Sequence, residues 1–236
     1  MRNIFLLSLF LIGFRSLALA QEEEQLLEEG FGYYESGEYG KAISVLTDYI
    51  NNDSSQIGAW VFRALSYQEL EKFPSAMDDF DFALSLDPDD TSIYLLRGDL
   101  HQLMGDFSTA ILDYSSALAL DSTDPDVFRN RAEVYYFLDR YRLSLQDYQQ
   151  AIAMEPGEAS DYFYAGVSMR YLGKPDQALN YLNMAVALVP EDPSVYYHRG
   201  LVYLIMDQQE NGCKDWQKAI SLGSETLEEE YQDVCQ

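Results

Sequence analysis

Two histidines, two cysteines and 40 acidic side chains are the groups of this chain that could do chemistry. His101 and His198 stand 97 residues apart, so neither a two-histidine metal motif nor a Ser-His-Asp arrangement suggests itself. His101 occupies a place that is Tyr in four other periods and reads as a packed core residue. The acidic stretches Asp87 to Asp90 and Asp121 to Asp126 offer oxygens but lack the spaced ligands, turn glycine and closing Glu of a calcium loop. Helix capping suits them better. No Gly-rich phosphate loop is present. Carboxylates are so dense that close pairs occur by chance, which leaves them without catalytic meaning. The expectation is a chain that is not an enzyme and needs no cofactor and no metal.

The acid excess itself restricts partners. A net charge of -25 repels phosphate backbones and anionic lipid, so nucleic acid is excluded, whereas a basic or neutral protein or peptide is permitted. The first twenty residues join a basic start, an apolar run from Ile4 to Phe14 and the small pair Ala18 and Ala20. That is the make-up of a cleaved secretory signal over residues 1–20, and it places the protein in the periplasm or outside the cell, free of the membrane once cut. An uncleaved anchor is the rival, and Arg15 interrupts the apolar run too early to favour it. Asn52-Asp53-Ser54 fits a glycosylation sequon, which matters only in a host that glycosylates.

The elements that must position any site follow from one period. Arg63, Arg97, Arg131 and Arg199 recur at intervals of 34, 34 and 68 residues. At the same step run Gly30, Ala64, Gly98, Ala132, Gly166 and Gly200, then a second small set, Ala42, Ala76, Ala110, Ser144, Ala178 and Gly212. A third, Tyr49, Ala83, Ala117, Ala151, Ala185 and Ala219, lies seven residues beyond the second. Small residues at such places let two antiparallel helices approach closely, and the bulky residues between them fill the remaining space. Each period therefore reads as a helical hairpin. Gly ends the first helix in stretches such as Leu172 to Ala178, with Asp or Ser placed to cap the second. Between periods, Pro88, Pro156 and Pro190 with adjacent acids stop one hairpin and cap the next.

This pattern resembles the tetratricopeptide repeat (TPR) family, whose unit is 34 residues long. Trp60, Ala64, Tyr67, Ala76, Phe80, Ala83 and Pro88 match positions 4, 8, 11, 20, 24, 27 and 32 of the unit that starts at residue 57. The resemblance implies an all-α fold, a right-handed superhelical solenoid of antiparallel hairpins. Six repeats would fill residues 21–223, starting near 23, 57, 91, 125, 159 and 193, with a capping helix over 224–236.

Each periodic arginine has an acid sixteen residues on: Arg63 with Asp79, Arg97 with Asp113, Arg131 with Asp147, Arg199 with Asp215. In the first and fifth periods arginine and acid are absent together, as Glu29 with Val45 and Ala165 with Tyr181, which predicts salt bridges inside the hairpins. Arg97-Gly98-Asp99 spells an adhesion tripeptide, but its register puts it inside a first helix, with Gly98 at the close contact. Cys213 replaces an aliphatic residue, and Cys235 ends a tail whose Leu227, Tyr231, Val234 and Cys235 share one helical face. An antiparallel tail helix would bring the two cysteines together as a disulfide; two buried free thiols are the alternative.

TPR proteins typically receive a peptide or partner helix on the first helices through positions near 2, 5, 9, 12 and 13. Carried onto this chain those places include Phe31, Tyr34, Leu95, Asp99, Gln102, Arg129, Glu133, Tyr136, Phe137, Phe163, Arg170, Tyr171 and Tyr197. Position 5 reads Leu27, Val61, Leu95, Arg129, Phe163 and Tyr197, without the Lys and Asn set that clamps chaperone tails. The expected function is a non-enzymatic scaffold or adaptor that binds a peptide or partner protein in its concave groove. The alternative is a structural subunit of an envelope assembly or a homo-oligomer.

Overall fold

Helices of thirteen or fourteen residues are marginal alone in water, so each must bury a face on its neighbours. The computed structural model describes residues 24–224 and 227–235, and the leader expected over residues 1–20 lies outside the described residues. The chain is all-helical, without a strand among the described residues. It forms two compact units, Met1–Asp106 and Phe107–Gln236.

In the first unit, α1 covers residues 24–35, followed by α2 (Tyr39–Asn52), α3 (Ile57–Glu69), α4 (Phe73–Leu86) and α5 (Thr91–Leu103). The second contains α6 (Phe107–Leu120), α7 (Pro125–Phe137), α8 (Tyr141–Met154), α9 (Ala159–Tyr171), α10 (Pro175–Leu188), α11 (Pro193–Ile205), α12 (Gln209–Ser221) and α13 (Glu228–Cys235). Within each unit, helices adjacent in sequence pack on one another, most closely α3 with α4, α7 with α8, α9 with α10 and α11 with α12. First helices two apart, α7 with α9 and α9 with α11, also touch.

Every residue of the three small-residue sets is buried. The reason is clearest in the last hairpin, where a Cβ on Gly200 would meet the Gly212 carbonyl at 3.1 Å and one on Gly212 would meet the Gly200 carbonyl at 3.1 Å. Two backbones that close admit no methyl group on either side, which accounts for glycine in place of alanine at residue 212.

Helix ends differ from expectation in one respect. First helices are capped as anticipated in part: Asp90, Asp124 and Asp192 accept from the amides of Ser92, Asp126 and Ser194. Second helices lack side-chain caps, with Lys72, Arg140, Lys174 and Gln208 in the cap place. The backbone does the work instead. Gly37, Glu71, Gly105, Asp139, Gly173 and Asp207 take left-handed φ at the same place in each hairpin. The next amide then reaches back to the first helix, as from Lys72 to the Tyr67 carbonyl at 2.8 Å and from Lys174 to the Met169 carbonyl at 3.0 Å. So tight a turn satisfies the helix terminus without a capping carboxylate.

The arginines hold three helices rather than two. Arg131 forks onto Asp147 through Nε and Nη2 at 2.7 and 2.9 Å, while its Nη1 donates to Ser115 on the preceding second helix at 3.0 Å. Arg63 does the same with Asp79 and Thr47, and Arg199 with Asp215 and Asn183. For Arg97, whose expected partner Asp113 belongs to the other unit, the pairing within its own unit is with Asp81 at 2.5 Å. At the fifth period, where Ala165 and Tyr181 replace arginine and acid, Gln149 Nε2 donates to the Tyr181 hydroxyl at 2.9 Å. The tripeptide Arg97-Gly98-Asp99 lies inside α5 with Gly98 buried.

Cys213 and Cys235 are joined in a disulfide with Cα atoms 5.7 Å apart, which ties α13 to α12. Leu227 is buried against Tyr196, Trp216 and Ala219. Val234, expected on the packed face, is instead 39% exposed. The helix ends within a residue of it, and its carbonyl rather than its side chain is held, by Gln209 Nε2 at 2.6 Å.

Candidate partner-binding surface

In the first unit, Phe31 and Tyr34 on α1 meet Phe62 on α3, with ring centroids 4.4 and 5.3 Å away. Leu95, Asp99 and Gln102 share one half-buried face of α5.

The second unit concentrates the rings. Tyr136 on α7 contacts Tyr164 on α9 at 5.0 Å, Tyr164 meets Phe163 at 5.1 Å, and Phe163 reaches His198 on α11 at 5.2 Å. His198 lies 5.1 Å from Tyr197, which stacks on Trp216 at 6.1 Å. Tyr141 and Tyr171 stack beside this line at 4.3 Å. The rings therefore run without interruption across three successive first helices. At their outer edge Phe137, Tyr171 and Ile205, each at the same place in its hairpin, are 54%, 50% and 57% exposed. Between α9 and α11 opens a cleft of about 440 Å³ lined by Ser160, Phe163, Tyr164, Ser194 and His198. Burial raises the proton affinity of the Tyr136, Tyr164 and Tyr197 hydroxyls, and it pushes the His198 imidazole down to about 4, helped by the nearby charge of Arg170. His198 is thus a neutral, apolar-facing ring at physiological pH.

Tyr164 and His198 escaped the sequence reading because they stand one place past the expected slots. Of their periodic counterparts Glu28, Phe62, Leu96 and Asn130, only Phe62 is aromatic, so the period itself carries no signal for them.

Arg129 is engaged by carboxylates of the fold itself. Its Nη1 donates to Asp126 at 2.6 Å, Nη2 to Glu155 at 2.9 Å and Nε to Asp161 at 3.0 Å. Asp161 explains this, because it occupies a place held by Ala59, Ile93, Val127 and Val195 in other hairpins, all buried. A carboxylate there requires a cation. Burial pushes the Asp161 carboxyl up and the bonds from Arg129 draw it back; burial likewise opposes the charge on Arg129, and its three acceptors outweigh that. Glu133 remains half-buried on the same helix face. No cluster of three His, Cys, Asp or Glu side chains among the described residues could hold a metal ion, and no helix among them is long and apolar enough to cross a membrane.

Fold and ring surface together define a repeat protein made of stacked helical hairpins. The chain carries tetratricopeptide repeats: a TPR repeat model matches residues 103–139, and a tetratricopeptide repeat model matches residues 165–229. Among solved structures, YrrB, described as a TPR protein with an unusual peptide-binding site, is similar with a TM-score of 0.73 at 19% identity, over 80% of this chain and 98% of that one. PilF of Pseudomonas aeruginosa gives 0.75 at 14% identity, over 91% and 98%. MamA from Desulfovibrio magneticus RS-1 gives 0.67 at 16% identity, over 70% and 94%. At these identities the likeness is one of fold. No curated protein matches the chain in sequence. Repeats of this type are protein–protein interaction scaffolds.

Proposed function

We propose that this protein is a non-enzymatic, exported adaptor that binds an extended peptide or a partner helix along the concave side of its first helices, centred on α7, α9 and α11. The observation that carries the reading is the unbroken line of rings from Tyr136 to Tyr197 with the exposed edge formed by Phe137, Tyr171 and Ile205. Aromatic side chains give large contact area at low entropic cost and are the commonest interface anchors. Repeats that expose such rings at regular intervals present one contact per hairpin to a ligand running along the stack. The disulfide favours an oxidising compartment and so supports export. That YrrB has a peptide-binding site supports a peptide as the ligand class.

The test is selection of binders from a displayed library of random peptides. Tyr136→Ala and Phe163→Ala should each weaken the selected peptides by about 1–3 kcal/mol while far-ultraviolet circular dichroism stays helical. Undiminished binding in both variants would remove this surface from consideration.

A further inference from the structure

We propose that Arg170 receives an acidic side chain in the interior of the bound segment, a segment of neutral or basic net charge in which that acid adjoins an aromatic or aliphatic residue. The proposal rests on the binding reading above and specifies its ligand.

Among the described arginines that are half-buried, Arg63, Arg97, Arg129, Arg131 and Arg199 each hold a carboxylate, and Arg170 holds none. In a chain with 40 acids against 15 bases, a carboxylate partner is the easiest thing for a fold to supply. Arg170 Nε is buried and has no hydrogen-bond partner, an arrangement costly enough to be uncommon in folded proteins. Its guanidinium lies over the Tyr171 ring at 4.2 Å. That stack fixes the plane of the group and consumes none of its five N–H donors. A planar fork held in this way matches a carboxylate with two parallel bonds, which a lysine could not do.

The position selects an internal residue over a chain end. Arg170 belongs to the middle of the three first helices, and its charge is felt by Tyr136 on α7 and by Tyr197 and His198 on α11. Rings therefore flank it on both sides along the line, so a ligand gripped there continues in both directions. The net charge of the whole chain sets the remaining condition: a field of this sign repels a strongly acidic segment at distances up to the Debye length, yet leaves a single carboxylate free to pair at contact.

The experiment is the same displayed random-peptide selection, run on the intact protein, on Arg170→Glu and on Arg170→Gln. The wild type should enrich Asp or Glu beside an aromatic or aliphatic residue, and Arg170→Glu should replace that acid by Lys or Arg. Arg170→Gln should bind the wild-type consensus peptide about tenfold more weakly or worse. Amidating the C-terminus of that peptide should change nothing. Both variants should melt close to the wild type, because Arg170 has no carboxylate to leave unpaired and gives up only its stack on the Tyr171 ring. An identical consensus for all three proteins, or binding that needs a free C-terminal carboxylate, overturns the assignment to Arg170 and leaves the ring surface standing. A wild type that selects no peptide at all overturns the binding reading itself.

Discussion

At the scale of single residues, the second unit withdraws two polar side chains, His198 and Asp161, from solvent to different degrees and treats them differently. Asp161 stays paired, held by Arg129 with a side chain 1% exposed. His198 instead keeps a buried Nδ1 without a partner, and its pKa falls from 6.5 to about 4. The sign of the consequence follows from linkage. The unfolded chain takes up a proton at this residue below pH 6.5, whereas the folded chain refuses it until about 4, so stability present above 6.5 is lost as the pH falls toward 4. The size at pH 5 is about 2 kcal/mol from this residue alone. Urea unfolding midpoints at pH 7 and pH 5 measure it. His198→Phe should keep the edge-on contact with Phe163 and lose correspondingly less stability between the two pH values. An equal loss in both proteins would assign the pH sensitivity to the carboxylates instead.

At the scale of elements, register is fixed by arginines that join three helices each. Asp147→Ala leaves Arg131 half-buried with a single neutral acceptor, Ser115, and should cost about 2–4 kcal/mol. Asp126→Ala removes one of three carboxylates from Arg129, and that one is 66% exposed, so the change should stay within about 0.5 kcal/mol. Chemical denaturation of the two variants compares them directly; similar losses would mean that the forked pairs contribute little. The forward spacing from Arg131 to Asp147 could be read from the chain because arginine and acid appear and vanish together. The backward spacing to the preceding hairpin could not, since the acceptors there are Thr47, Asp81, Ser115 and Asn183, alike in chemistry and unlike in letter. The capture of Arg129 was hidden for a different reason. Its buried partner Asp161 lies 32 residues away in the next hairpin, and nothing in a one-unit template marks that pair. The ring line was legible at Tyr136, Phe163 and Tyr197, where family positions guide the eye, and illegible at Tyr164 and His198, where only packing between adjacent first helices brings the rings together.

At the scale of the molecule, a stack of repeats is as stable as its hairpins plus the interfaces between neighbours, and the end hairpin has only one neighbour. Here the C-terminal end is covered by α13, a helix of eight residues with no buried side chain of its own besides the preceding Leu227. So short a helix does not persist alone in water. Besides the Gln209 bond to the Val234 carbonyl and the packing of Leu227, the Cys213–Cys235 bond holds it covalently, across a sequence separation of 22 residues. Closing a loop of that length stabilises by about 3 kcal/mol in the chain-entropy model, a benefit confined to α11, α12 and α13 if unfolding proceeds hairpin by hairpin. Replacing both cysteines with serine should therefore speed amide exchange across α11 to α13 and leave α7 and α8 close to the wild type. Thiol titration of the denatured, unreduced protein should find no reactive group. Two reactive thiols would break the bond's claim outright, and exchange that accelerates equally from α7 to α13 would show that the second unit unfolds as one block and not from its end.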